Sequence, residues 1–141
     1  MKRASSKVFP LLALLLLAFG GAACSSYSYY DLDLKWGSGF DPVKIGAIVS
    51  CHLVVSGAAS DNVTLDAGKC KTATAGDMGT IEYSTFADSG MITFTLNAFQ
   101  YPESNPNCKL GEGSTTLNAA KAVRLPGTVI ATAMAQAGAC Q

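Results

Sequence analysis

Residues 45–57 read IGAIVSCHLVVSG, and they decide the fold. Ala47, Val49, Cys51, Leu53 and Val55 fall on one side of an extended chain, and Ile48, Ser50, His52 and Val54 on the other. That period of two, rich in β-branched residues and ending in glycine, is a strand. Its second side is only partly polar, so the strand belongs in the interior of a sheet.

The pattern repeats in both directions. Tyr30, Leu32, Leu34 and Trp36 alternate with Asp31, Asp33 and Lys35, giving a half-buried strand that GSGFDP (37–42) breaks. NVTLD (62–66) is a short strand with Val63 and Leu65 inward. TIEYSTF (80–86) sets Ile81, Tyr83 and Thr85 on one face, and Ala87–Gly90 turn the chain. MITFTLNAFQY (91–101) carries Ile92, Phe94, Leu96 and Ala98 on one side, with Thr93, Thr95 and Asn97 opposite. AGKCKTATAGDMG (67–79) and YPESNPNCKLGEG (101–113) read as loops. A strand over 114–125, a turn at Pro126-Gly127 and a last strand over 128–135 complete the pattern. About seven short strands between turns predict an all-β, antiparallel sandwich. Trp36, Val49, Leu53, Phe94 and Leu96 are its expected core.

The first 23 residues follow a different logic. MKRASSK carries Lys2, Arg3 and Lys7 with no acid, and an uncharged run from Val8 to Phe19 follows, ending in Gly20, Gly21, Ala22 and Ala23. Basic start, short apolar centre and small residues are the order of a secretory signal peptide. The apolar run is about a dozen residues, whereas a membrane-spanning helix needs roughly 20.

Gly21-Ala22-Ala23-Cys24 resembles the lipobox of bacterial lipoproteins, departing from it at Gly21, where an aliphatic residue is preferred. The resemblance covers residues 1–24. It implies cleavage before Cys24, a lipid on the Cys24 sulfur, and a membrane as the partner of the anchored chain. Ser25, by the same resemblance, implies the outer membrane, with the domain facing the periplasm or the cell surface. Small residues at Gly21 and Ala23 also suit an ordinary signal-peptidase cut, which would leave Cys24 free. The division is then a signal peptide over 1–23, a tether over 24–28 and a β domain over 29–141. Trp36, the Cys51 strand and GMITFTLNAF (90–99) make this domain similar to the small immunoglobulin-like domains of bacterial exported proteins.

Without Lys2, Arg3 and Lys7, seven bases stand against ten acids, an unfavourable balance for a nucleic-acid partner. With Cys24 carrying lipid, Cys51, Cys70, Cys108 and Cys140 remain, an even number suited to disulfides in an exported chain. Folding the 45–66 hairpin back brings Cys70 near Cys51. Folding strands 114–125 and 128–135 together brings Cys140 near Cys108. Pairings Cys51–Cys70 and Cys108–Cys140 follow, with the crossed pairings open because Cys51 points to the core.

No residue set carries catalysis. His52 is the single histidine and sits inside a strand, and no G-x-S-x-G turn exists. Cys51, His52, Cys70 and Cys108 lack zinc-ligand spacing, and Asp31, Asp33 and Asp41 lack the order of a calcium loop. No cofactor or metal is expected. SSYSYY with Trp36 suits a tether and core face better than a sugar- or protein-binding patch. The expectation is a non-catalytic envelope lipoprotein, an adaptor or binding module with an envelope protein as partner. The alternative is a secreted, disulfide-stabilised enzyme or inhibitor without a lipid anchor.

Overall fold

The computed structural model describes residues 27–71, 76–100 and 108–135. Seven strands form it: β1 (Ser28–Trp36), β2 (Ser50–Gly57), β3 (Asp61–Leu65), β4 (Asp77–Thr85), β5 (Met91–Phe99), β6 (Lys109–Asn118) and β7 (Arg124–Ala133), with two short helices, α1 (Pro42–Gly46) and α2 (Ala67–Lys71). The strands join in the order β3-β2-β5-β6-β7-β1-β4. The fold is all-β and mostly antiparallel, and one pair departs from that rule. β1 and β7, the first and last strands, run parallel over eight register positions from Tyr29↔Arg124 to Trp36↔Ala131.

The sheet curls, and its apolar sides meet. β1 alternates perfectly, with Ser28, Tyr30, Leu32, Leu34 and Trp36 buried and the residues between them half-buried. Phe94 of β5 receives Tyr30 of β1 at 4.9 Å and Tyr83 of β4 at 5.5 Å between ring centres. Leu53, Leu96, Ile92 and Val129 complete a fully buried centre. The two outermost strands also touch: Tyr83 Oη of β4 donates to Asp61 Oδ2 of β3 at 3.2 Å. A side-chain bond thus spans the gap that backbone pairing leaves open.

The curl turns on two glycines of β6. β6 and β7 share only two register pairs, Gly111↔Ala133 and Glu112↔Thr132. Beyond them β7 crosses over β6 to reach β1. A Cβ on Gly113 would overlap the Ile130 carbonyl and lie 2.7 Å from the Ala131 Cα. One on Gly111 would lie 2.7 Å from the Thr132 carbonyl oxygen and overlap the Phe40 ring. Only a residue without a Cβ permits this approach.

Several expectations change. Val49 is 47% exposed, because β2 begins at Ser50. The preceding residues belong to α1 and its exit, and Ile48 rather than Val49 is buried there. Asp41 starts α1: its carboxylate accepts from Lys44 N at 2.8 Å, and Pro42 occupies the first turn, where its missing N–H costs nothing. β6 runs over 109–118, so KLGEG is strand rather than loop, and β7 begins at Arg124. The connecting turn lies at Ala120–Val123, closed by Val123 N donating to Ala120 O at 3.3 Å, with Ala122 left-handed at φ 56°. Pro126-Gly127 therefore lies inside β7. Pro126 is tolerated because this half of β7 pairs with β1 and not with β6. AGKCK, expected as loop, is α2.

Cys51 and Cys70 form a disulfide with Cα atoms 6.6 Å apart. β3 returns along β2 so that Leu65 faces Cys51, and α2 then lifts Cys70 over it. Cys108 is fully buried and disulfide-bonded; its expected partner, Cys140, lies outside the described residues, as do the signal peptide and Cys24. Trp36 covers the bridge, its Nε1 donating to Cys70 O at 3.3 Å and its ring 4.4 Å from that of Phe40.

Two substitutions test this architecture. Leu53→Ala, at a fully buried site, is expected to cost about 2–5 kcal/mol by chemical denaturation. Gly113→Ala adds one methyl group and is expected to destabilise by at least about 1–3 kcal/mol, the range for overpacking. Wild-type stability in Gly113→Ala would refute the close crossing of β7 over β6.

Candidate functional site

Alternation along β1 that sends Tyr30 and Leu32 inward leaves Tyr29, Asp31 and Asp33 on the outer face. β4 and β7 flank that face, and the registers set Tyr29 beside Arg124 and Asp31 beside Glu82. Arg124 Nη1 donates to Asp31 Oδ1 at 2.5 Å and to Glu82 Oε1 at 3.1 Å. The two carboxylates raise the guanidinium pKa above its ordinary value by hydrogen bonding and then by charge. The group is solvent-exposed, so the cluster orders the surface more than it stabilises the fold.

Aromatic rings continue the face. The Arg124 guanidinium lies 6.0 Å from the Tyr29 ring centre, within cation–π reach. Tyr27 stands 6.2 Å from Tyr29 and 3.8 Å from Phe86, which is 72% exposed. Tyr29, Glu82, Tyr83, Ser84 and Arg124 line a hollow of about 220 Å³. Small-molecule sites usually span about 300–1,000 Å³. The hollow is below that range, and the larger feature is the amphipathic surface around it: aromatic edges, one fixed cation and two carboxylates. Such a surface suits recognition by contact.

The residues singled out by sequence are dispersed. Asp31 joins the Arg124 cluster, Asp33 accepts from Thr80 Oγ1 at 2.5 Å, and Asp41 caps α1. Among the described residues no group of three His, Cys, Asp or Glu side chains is arranged to hold a metal ion. His52 is on the outer side of β2 as expected, yet only 7% exposed; its Nδ1 lies 3.4 Å from Thr64 Oγ1 and its ring sits edge-on to Phe99. The tyrosines divide. Tyr30 is core, as is Trp36, whereas Tyr27 and Tyr29 belong to the surface patch. Glu82 and Arg124 carry no mark of this role in the sequence. Arg124 and Asp31 are 93 residues apart. The one local signal is a phenylalanine at the mouth of the Ala87–Gly90 turn, where an apolar ring has no strand face to bury it.

No protein-family model matches the chain, and no curated protein is similar to it in sequence. Among solved structures, the fold is similar to a fimbrial assembly protein from Parabacteroides distasonis, with a TM-score of 0.51 at 12% identity. The likeness covers 74% of this chain and 52% of that one, so this chain matches about half of its neighbour. At that identity the likeness is one of fold.

Tyr83 offers a test of the geometry. Burial, then the charge and hydrogen bond of Asp61, raise its pKa above the ordinary 10.0. A raised native value means the unfolded chain loses the proton first. The contribution to stability is complete below pH 10.0 and is lost as pH rises through the native value. Stability between about pH 9 and pH 12 is expected to fall more steeply in the wild type than in Tyr83→Phe, and equal slopes would refute the Tyr83–Asp61 contact.

Proposed function

We propose that this chain is a lipid-anchored domain of the bacterial cell envelope, non-catalytic, acting as an adaptor or binding module in an assembly with other envelope proteins. The observation that carries the reading is the place of Cys24. It follows a basic, apolar and small-residue leader, and it precedes Ser28, where β1 starts, by only four positions. Cleavage before it makes Cys24 the first residue of the mature chain under this reading. Two or three acyl chains on it hold firmly, each buried methylene contributing about 0.8 kcal/mol, whereas one chain alone is marginal. Ser25, by resemblance to the sorting rule, directs the product to the outer membrane.

The similarity in fold to a fimbrial assembly protein from Parabacteroides distasonis supports an envelope setting. The same reading takes the domain as an immunoglobulin-like sandwich. The packing of Tyr30 and Tyr83 on Phe94 supports it, because those rings come from opposite halves of the curled sheet. The aromatic and charged surface around Arg124 supports a binding role.

Cys24→Ser is expected to release the protein from membranes or to leave an unprocessed precursor, read by fractionation and by the mass of the mature N-terminus. Normal processing with unchanged membrane fractionation would overturn the anchor, and a free thiol at a mature Cys24 would favour a secreted protein.

A further inference from the structure

The end of the domain nearest Cys24 differs from its sides. The start of β1, the end of β4 and the start of β7 meet there, with Ser28 facing Thr85 and Tyr29 facing Arg124. The β4–β5 and β6–β7 turns join them. Ala119 N donates to Gly90 O at 2.7 Å, Ala122 N to Tyr27 O at 2.9 Å and Tyr29 N to Val123 O at 3.3 Å. Ser28 Oγ donates to Ala87 O at 2.5 Å. These bonds make one continuous rim, and the rim exposes Phe86 at 72%, Met91 at 52% and Val123 at 46%, with Tyr27 stacked against Phe86.

We propose that this rim rests on the bilayer that holds Cys24, with Tyr27 and Phe86 at the level of the lipid headgroups and Met91 and Val123 beside them. The inference rests on the anchor reading above. Only three steps of chain separate Cys24 from Tyr27, so an extended backbone keeps Tyr27 within about 11 Å of the acylated residue. β7 is ten residues long, so the opposite end of the sheet stands roughly 30 Å further away. Tyrosine and other aromatic rings suit the interface, where one edge is wet and the other apolar. Charge is not the attraction. Arg124 is held by Asp31 and Glu82, and the exposed Lys121 of the rim is offset by the exposed Asp88. Docking therefore does not need anionic lipid.

The opposite end supplies the control. Met134, just past β7, is 46% exposed, as apolar as Val123 and equally accessible, but far from the anchor. The test uses full-length mature protein, with the mass of Cys24 verified, in vesicles of phosphatidylethanolamine and phosphatidylglycerol containing brominated lipid. Phe86→Trp and Met134→Trp are compared after subtraction of the native Trp36 signal. The expected result is loss of fluorescence and a blue shift at position 86, little change at 134, and the same result in purely zwitterionic vesicles. Equal quenching at both positions, or none at 86, in protein that carries lipid on Cys24 overturns the docking and leaves the anchor standing. A Cys24 without lipid overturns the anchor and this inference with it. A spectral change at 86 that needs added envelope proteins and shows no lipid quenching also overturns it, giving the rim to a protein partner.

Discussion

The passage of β7 over Gly111 and Gly113 is the constraint from which the remaining geometry follows. A strand cannot lie this close to another backbone if a Cβ stands between them, and the two glycines remove it at the crossing. β7 thereby leaves β6 after two register pairs and joins β1 for eight. The crossing brings β1 and β4 back over β2 and β5, so that Tyr30 and Tyr83 reach Phe94. Both rim and surface cluster depend on it as well, because Arg124 reaches Asp31 only if β7 lies parallel to β1.

The two ends of the curled sheet are finished in different ways. At one, Trp36, Phe40, the short helices and the Cys51–Cys70 bridge close the core with covalent and aromatic cover. A bridge closing a loop of 19 residues contributes about 3 kcal/mol in the chain-entropy model. Hydrogen bonds between turns close the other end, leaving apolar side chains in solvent.

Local alternation made most strands legible. β1, β2 and β5 each bury one side, and a period of two records that side directly; Leu53, Phe94, Leu96 and Trp36 are buried where the pattern puts them. The errors share a cause. Val49 continues the apolar alternation of β2, but α1 ends just before it and the backbone turns, so the pattern outruns the strand. Pro126-Gly127 has turn chemistry, yet β7 meets its neighbour on one side only at that point, and proline costs little there. The true turn at Ala120–Val123 has no glycine, proline or asparagine, and a left-handed alanine carries it. The Cys51–Cys70 pairing was legible because a hairpin between the two cysteines brings them together by local geometry alone.

The amino-acid sequence by itself determined the all-β class, the core faces of the central strands and the local disulfide. Each is written in neighbours close along the chain: a period of two, or a hairpin between two cysteines. Tertiary structure decided which strands pair, that the first and last run parallel, and that Asp31, Glu82 and Arg124 share a surface. Those contacts join residues as far apart along the chain as Tyr29 and Arg124. No local pattern encodes them, because they come into being only when β7 crosses its glycines and the sheet curls.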